Sequence, residues 1–204
     1  PELKAARQKL VAYLGQHVPD EPYHCGVRLI TKWCFPRGKH LDGTYRLSKP
    51  DTDNLQKLLK QGLETKAPAP GDTASFGECE IEFLGPYETY KDVNDNSICL
   101  KVKHGETSML FTGDAGSSPE KKMIEMGEDL EADLLQAGHH GSSTSNSYYF
   151  LREANPEYVV ISCGKGNMYG HPHEEALSRF RDLGAEVFRT DEQGTIIAVD
   201  DGMQ

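Results

Sequence analysis

The sequence predicts an α/β fold for residues 76–204, and two observations support this prediction. Short apolar runs recur along this part of the chain, each about as long as a buried strand and each ended by glycine or small polar residues. Between these runs, polar and apolar residues recur at helical spacing. Because strands alternate with helices, a layered arrangement of helices on a sheet is expected.

Seven strands and three helices account for this pattern. The strands are expected at Phe76–Leu84, Ser97–Val102, Thr107–Phe111, Asp133–Gln136, Tyr158–Ser162, Glu186–Phe188 and Thr195–Val199. The helices are expected at about Pro119–Met126, Asn146–Ala154 and Glu174–Leu183.

A separate, smaller α/β segment is predicted at residues 1–64. Apolar residues recur at helical spacing over about Glu2–Gly15, and Val27–Phe35 alternates in the manner of a strand. A second helix is expected to begin near Asp51. Residues 65–75 are rich in Ala, Pro and Gly, which predicts a linker between the two segments.

Charge divides the chain in the same place. The net charge of −10 is the sum of +5 over residues 1–66 and −15 over residues 67–204. The composition is that of a soluble globular protein without a membrane-spanning stretch, so a cytoplasmic location is expected by default. The five cysteines include no C-x-x-C pair, which disfavours a cysteine metal site and indicates reduced thiols.

One carboxylate and several imidazoles follow the apolar runs directly. Asp114 comes after the third predicted strand, His139 and His140 come after the fourth, and His171 follows the fifth. The ends of buried strands gather at one sheet edge, and imidazole and carboxylate groups suit zinc, manganese or iron. A single histidine is more often a structural hydrogen-bonding residue than a ligand, so the combination carries the prediction of a metal site.

Two aspartates at the start of the second helix of residues 1–64 allow two interpretations. By local chemistry, Asp51 and Asp53 are what a helix N-terminus prefers as caps and as partners of its dipole. Alternatively, the two carboxylates hold Mg²⁺ while Lys57, one helical turn beyond Asp53, faces a phosphate.

The run Lys49-Pro50-Asp51-Thr52-Asp53-Asn54-Leu55-Gln56-Lys57, preceded by an alternating strand, resembles the signature of RusA-type Holliday-junction resolvases. The resemblance covers roughly residues 1–64 and implies a Mg²⁺-dependent, homodimeric nuclease acting on DNA. It implies that Asp51 and Asp53 bind the metal and that Lys57 assists phosphodiester cleavage. The further acidic motif of that family is not matched, since Asp72 lies in the predicted linker without the expected neighbours.

The order of five motifs in residues 76–204 resembles the metallo-β-lactamase-fold domain of ComEC-type DNA-uptake proteins and its free-standing relatives. The motifs are Val93-Asn94-Asp95-Asn96-Ser97-Ile98, Phe111-Thr112-Gly113-Asp114, Gly138-His139-His140-Gly141-Ser142, Ser162-Cys163-Gly164-Lys165-Gly166-Asn167 and Tyr169-Gly170-His171-Pro172-His173. The fold class expected is therefore a partial metallo-β-lactamase-like αβ layer preceded by a small RusA-like α/β segment.

The resemblance also implies roles for single residues. Asp114 would bridge two metal ions, zinc or manganese, and His140 would bind one of them. His139 would be a second ligand or a phosphate contact, and His171, ahead of His173, would be a further ligand or a transition-state contact. Three more residues are expected to contact substrate, namely Ser142, Lys165 and Asn167.

The H-x-H-x-D-H string, which supplies most ligands in complete enzymes of this fold, does not occur in the chain. The first expectation is therefore a metal-dependent phosphoester hydrolase or nuclease of impaired activity, acting on DNA or on a small phosphoester. A second is a non-catalytic fusion of two partial domains. A third is a RusA-like, Mg²⁺-dependent Holliday-junction endonuclease.

Overall fold

Residues 68–203 are described by the computed structural model, and their strands form one seven-stranded sheet in chain order. The strands are β1 (Thr73–Phe76), β2 (Cys79–Gly85), β3 (Cys99–His104), β4 (Thr107–Phe111), β5 (Leu134–Gln136), β6 (Tyr158–Ile161) and β7 (Glu186–Arg189). The pairs from β1 to β4 are antiparallel, whereas those from β4 to β7 are parallel. The parallel half therefore brings the carboxyl ends of several strands to one edge.

Each parallel connection contains one helix. The helices are α1 (Ser117–Met126) after β4, α2 (Tyr148–Ala154) after β5 and α3 (Glu174–Leu183) after β6, and a short α4 (Thr190–Gln193) follows β7. Helices α1 and α3 end at Gly127 and Gly184, whose positive φ angles of 77° and 84° close the last turn. Helix α1 contacts α2 and α2 contacts α3, so the three helices form one layer.

The core lies between this helical layer and one face of the sheet. Leu110, Leu135 and Val159 are in register on neighbouring parallel strands and are fully buried. They belong to the same buried cluster as Phe150 of α2 and Phe180 of α3. Burying an apolar side chain of this size contributes roughly 1.5–3 kcal/mol, so this cluster accounts for the strand and helix order.

The opposite face of the sheet is also apolar. Met109, Leu134 and Val160 lie there, and Ile196 and Ala198 of the C-terminal segment line the same groove. The prediction of a strand at Thr195–Val199 is wrong, since this segment has no strand and lies against the face of the sheet instead.

Except for the first strand, the other predicted elements agree with the structure apart from their ends. Strand β4 and helix α3 have the predicted bounds. The first predicted strand, Phe76–Leu84, is two strands, because Gly77 takes a φ of 61° and the chain turns back at Gly77 and Glu78. Strand β1 begins inside the range predicted as a linker, and the boundary between the two segments remains a prediction.

The α/β class is confirmed by these elements. The predictions for residues 1–64 lie outside the described residues. Within the described part, Cys79, Cys99 and Cys163 carry free thiols. No helix in residues 68–203 combines the length and apolar character needed to cross a membrane.

Candidate active site

Three strand ends carry the predicted histidines and aspartate to one edge of the sheet. Asp114 follows β4, His139 and His140 follow β5, and His171 lies in the connection that follows β6. The Nε2 atom of His140 lies 3.5 Å from Oδ1 of Asp114. The ring centre of His171 is 5.4 Å from that of His139 and 6.2 Å from that of His140. The structure therefore brings together four residues that lie up to 57 positions apart (171 − 114) in the sequence.

The ring of His140 has a defined hydrogen-bonding pattern. Its Nδ1 lies 2.7 Å from the carbonyl oxygen of Ser162, and since a carbonyl can only accept, Nδ1 carries the proton. In the neutral ring, Nε2 then presents its lone pair toward Asp114. Both side chains are partly exposed, His140 at 45% and Asp114 at 41%, so a ligand or proton can reach the space between them.

The backbone at the two histidines is strained. His139 and His140 take φ angles of 49° and 57°, in the left-handed region that side chains with a Cβ disfavour. Each such residue costs on the order of 1 kcal/mol, so the surrounding structure must hold the turn. One hydrogen bond that does so runs from the N–H of His139 to the carbonyl of Gly113, 2.9 Å away.

A buried polar network supports this turn from behind. The side chain of Asn146 accepts from the N–H of Gly138 at 2.8 Å and donates to the carbonyl of Gly138 at 3.0 Å. Glu120 of α1 accepts in turn from the N–H groups of Asn146 and Ser147. Arg179 of α3 donates to carbonyl groups of the same segment, including that of Ser145 at 2.8 Å.

Glu120 is fully buried, and burial raises the pKa of its carboxyl to about 7. The bonds from Ser147 and Asn146 and the charge of Arg179 act in the opposite direction but do not cancel the effect of burial. A buried carboxyl group that holds a loop in this way makes the loop sensitive to its protonation state.

The turn Asn94–Asn96 forms a second wall of the site. Ser97 Oγ accepts from the N–H of Asp114 at 3.0 Å, and Asp95 accepts from the N–H of Gly116 at 2.8 Å. Nδ2 of Asn94 lies 3.4 Å from Nε2 of His139. Sequence reasoning included this turn in the family resemblance but gave its residues no role, because the sequence does not show that it packs against the loop after β4.

His171 and His173 differ in their surroundings. Burial lowers the pKa of His171 to about 4, with further lowering by His173, His139 and His140, so its imidazole is neutral at pH 7. His173 accepts at Nδ1 from the N–H of Ser143 at 3.0 Å, which leaves Nε2 to donate to the carbonyl of Tyr169 at 3.1 Å. Both ring nitrogens of His173 are thus used within the protein, which fits its lower rank among the expected ligands.

The three residues expected to contact substrate occupy different positions. Lys165 is exposed in the loop after β6. Ser142 is buried, and its hydroxyl is hydrogen-bonded to that of Thr144 at 3.0 Å. The Asn167 amide bonds within its own loop, accepting from the N–H of His171 at 3.0 Å and donating to the carbonyl of Gly164 at 2.9 Å. Their role in substrate binding stays a prediction.

The residues present fit a metal ion in part. His140 Nε2 and Asp114 Oδ1 are the donor types that zinc and manganese prefer, and the Nδ1 bond of His140 to a carbonyl is typical of a metal-binding histidine. Within residues 68–203, however, no three His, Cys, Asp or Glu side chains are arranged to hold a metal ion. Zinc sites normally use three or four protein ligands, so this pair alone does not make a complete site. Asp51, Asp53 and Lys57 lie outside the described residues.

The chain is similar to known proteins of two kinds. Residues 1–72 match the family model described as endodeoxyribonuclease RusA. Over 152 residues the chain is 31% identical to ComE operon protein 3 of Bacillus subtilis, an alignment that covers 74% of this chain and 20% of that protein. Over 120 residues it is 40% identical to competence protein ComA of Neisseria gonorrhoeae, covering 57% of this chain and 17% of that protein.

Among solved structures, the chain is similar to the metallo-β-lactamase fold protein YhfI of Bacillus subtilis, with a TM-score of 0.47 and 18% identity. That alignment covers 74% of this chain and 63% of YhfI. The chain spans a fifth or less of the length of the curated relatives. The predicted likeness to RusA-type proteins and to competence proteins is confirmed, since residues 1–72 match the RusA model and the chain is also similar to two competence proteins.

Proposed function

We propose that residues 76–204 carry part of a metal-dependent hydrolytic site for phosphoesters, formed by Asp114, His139, His140 and His171. The observation that carries the proposal is the geometry of one pair: His140 is held by Ser162 so that its Nε2 lone pair faces Asp114. Strained backbone at His139 and His140 supports it, because residues in disfavoured conformations cluster at functional sites.

The residues of this chain have distinct tasks in the proposed site. Asp114 and His140 would hold a zinc or manganese ion, which when bound lowers the pKa of water and offsets negative charge on a phosphoester. Burial keeps the His171 ring neutral at pH 7, and its ring N–H can donate a hydrogen bond to a phosphoryl oxygen. The Ser97 and Asn146 bonds keep the two loops in place, so that these groups need little reorganisation.

The proposed site has too few ligands to bind metal tightly, so we expect hydrolysis to be slow. The excess of negative charge in residues 67–204 opposes the approach of a polyanion, which makes a small phosphoester as suitable a test substrate as DNA.

The test measures metal content by elemental mass spectrometry and hydrolysis of bis(p-nitrophenyl) phosphate with added Zn²⁺ or Mn²⁺. We expect about one equivalent of metal under saturating conditions, lost in Asp114→Ala and in His140→Ala. Asp201→Asn serves as the control, since this exposed carboxylate accepts a local hydrogen bond from the N–H of Met203 and no other within residues 68–203. Metal content well below one equivalent that is the same in all variants, together with no turnover, would favour the non-catalytic fusion.

The match of residues 1–72 to the RusA model favours a second candidate function. In this alternative, Asp51, Asp53 and Lys57 form a Mg²⁺-dependent site that cleaves four-way DNA junctions as a homodimer. Residues 1–64 and 76–204 are then two functional segments joined by residues 65–75. Mg²⁺-dependent junction cleavage that is lost in Asp53→Asn and kept in Asp114→Ala would assign the activity to the first segment. A folded dimer that cleaves no junction would count against this alternative.

A further inference from the structure

We infer that Asn94 is a positioning residue that fixes the proton of His139 on Nδ1 and thereby makes this histidine a hydrogen-bond donor to the phosphoester. The inference deepens the proposed function and rests on it only for the claim that a phosphoester accepts the hydrogen bond from His139. The position of the proton itself depends on the structure alone.

The first step is the contact between the two side chains. Nδ2 of Asn94 and Nε2 of His139 are 3.4 Å apart. The amide nitrogen of asparagine can only donate, so Nε2 of a neutral His139 must accept and Nδ1 must carry the proton. No other hydrogen bond to the ring of His139 occurs within residues 68–203, so the Nδ1–H group is left to donate to a ligand.

The second step is that the turn carrying Asn94 is fixed at both ends. Asp95 of the turn and Ser97, which follows it, bond to the loop after β4. Within the turn, the Asn96 side chain accepts from the N–H of Tyr90 at 2.9 Å and donates to the carbonyl of Asp92 at 2.8 Å. Asn94 therefore approaches His139 from a rigid support.

The third step is the close approach of the two loops. A Cβ atom added to Gly113 would lie 2.9 Å from Cβ of Ser97, and one added to Gly116 would lie 2.8 Å from Oδ1 of Asp95. Both distances are too short for a side chain, so glycine at these positions is what allows the turn to reach the site. The backbone is thus built to bring Asn94 against His139.

The two neighbouring histidines then have complementary tasks. His140 carries its proton on Nδ1 because of the Ser162 carbonyl, and its Nε2 lone pair faces Asp114. Nε2 of His139 is occupied by Asn94, so this ring contributes its Nδ1–H group instead. One histidine supplies a lone pair and the next supplies a donor, and a donor aimed at a phosphoryl oxygen stabilises the negative charge that develops there.

The experiment reads the tautomer directly from ring ¹⁵N and ¹H shifts of the ¹⁵N-histidine-labelled chain at pH 8. In the native chain we expect His139 to be the Nδ1–H tautomer. Asn94→Asp replaces the donor with an acceptor and is expected to move the proton of His139 to Nε2. Asn94→Ala is expected to give a mixture of tautomers.

Controls separate this role from general support of the turn. Asn96→Ala removes bonds inside the turn without touching His139, so it should leave the tautomer unchanged as long as the amide shifts of Asp114 and Gly116 are native. His140 serves as an internal reference, since its Nδ1 proton depends on Ser162 and not on Asn94. An Nε2–H tautomer in the native chain, or the same tautomer in native, Asn94→Asp and Asn94→Ala chains, would overturn the inference.

Hydrolysis of bis(p-nitrophenyl) phosphate by the same variants tests the proposed function separately. If the native chain shows the Nδ1–H tautomer of His139 but no turnover, the positioning role of Asn94 stands and the proposed function is wrong. Where turnover exists, we expect Asn94→Asp to lower kcat by on the order of 100-fold, the effect of losing one donor to a developing charge. If Asn94→Asp and the native chain hydrolyse the substrate at equal rates, His139 does not donate a catalytic hydrogen bond to the phosphoester.

Discussion

The two edges of the parallel half of the sheet use the same residue types in different ways. At the carboxyl edge, the carbonyl of Ser162 holds His140 so that its Nε2 lies 3.5 Å from Oδ1 of Asp114. At the amino edge, charged groups are partnered within the protein: Asp133 accepts from the N–H of Ser108 at 2.6 Å, and Lys101 lies 2.8 Å from Asp129.

This difference separates carboxylates that maintain the fold from carboxylates that can bind a ligand. Lys101 is only 3% exposed, and its ammonium group also donates to the carbonyl of Asp129, so its charge is compensated internally. A polar pocket is present at the amino edge, and the ammonium group of Lys101 in its lining pairs with Asp129. The approach of His140 to Asp114 across one open space, and not the number of charged residues, distinguishes the candidate active site.

The largest effect is expected from Gly141→Ala at the carboxyl edge. Gly141 takes a φ of 77°, and a Cβ atom there would lie 2.7 Å from Cβ of Pro172. Conformational cost and overpacking together should lower the free energy of unfolding by about 4 kcal/mol. Urea denaturation measures this change.

Gly184→Ala is the matched control for that variant. Its φ is 84°, but no atom of residues 68–203 lies within 4 Å of the added Cβ, so only the conformational cost of about 1 kcal/mol is expected. If both variants lose the same free energy of unfolding, packing between the loops at His140 and His171 does not contribute to stability.

The next effect concerns the carboxyl group that supports the carboxyl edge. Since the folded pKa of Glu120 is about 7 and its reference value is 4.5, the folded state binds the proton more tightly. Stability should therefore fall as pH rises from about 4.5 to about 7, by about 3 kcal/mol. Glu120→Gln should remove this slope, measured by urea denaturation across that range. Glu125→Gln, on the exposed side of the same helix, should keep it.

A third prediction compares one aspartate from each edge. Asp114→Asn should lower phosphodiester turnover on the order of 100-fold with little change in stability. Asp133→Ala should do the reverse and cost about 2 kcal/mol, because it leaves the N–H of Ser108 without its partner. Turnover and urea denaturation are measured on both variants. If each variant loses both turnover and stability, the two edges do not differ in the way proposed here.

The smallest effect is expected where the C-terminal segment closes the amino edge. Asp200 accepts from Thr107 and lies 2.9 Å from Nδ1 of His104, and the hydrogen bond to Asp200 raises the pKa of His104. The N–H of Glu106 donates to the carbonyl of Gly202 in the same contact. Asp200→Ala should speed amide exchange at Glu106 about 5-fold, equivalent to about 1 kcal/mol.

The direction of the pH dependence follows from the raised pKa. The ion pair between protonated His104 and Asp200 is fully present below the pKa that His104 has in the unfolded chain. It is lost as the pH rises through the higher pKa that His104 has in the folded state. Protection at Glu106, corrected for intrinsic exchange, should decrease in that range in the native chain and stay constant in Asp200→Ala.

Local pattern was sufficient for much of the fold and for part of the site. Strand Thr107–Phe111 and helix Glu174–Leu183 have the predicted bounds because apolar periodicity and flanking glycines act within a few residues. Asp114, His139, His140 and His171 could be singled out because each lies in the loop that follows a buried strand. Parallel strands place such loops at one edge whatever the details of packing.

Other features were decided by the tertiary structure, because they depend on partners far apart in the sequence. The alternating run Thr195–Val199 follows the sheet face instead of forming a strand, since Asp200 is anchored at His104 and Thr107. Glu120, Asn146 and Asn94 look like ordinary helix or loop residues in the sequence, and their tasks arise only from distances across the fold. The sequence alone determined which groups reach the edge, and tertiary packing decided which atoms of those groups are left to react.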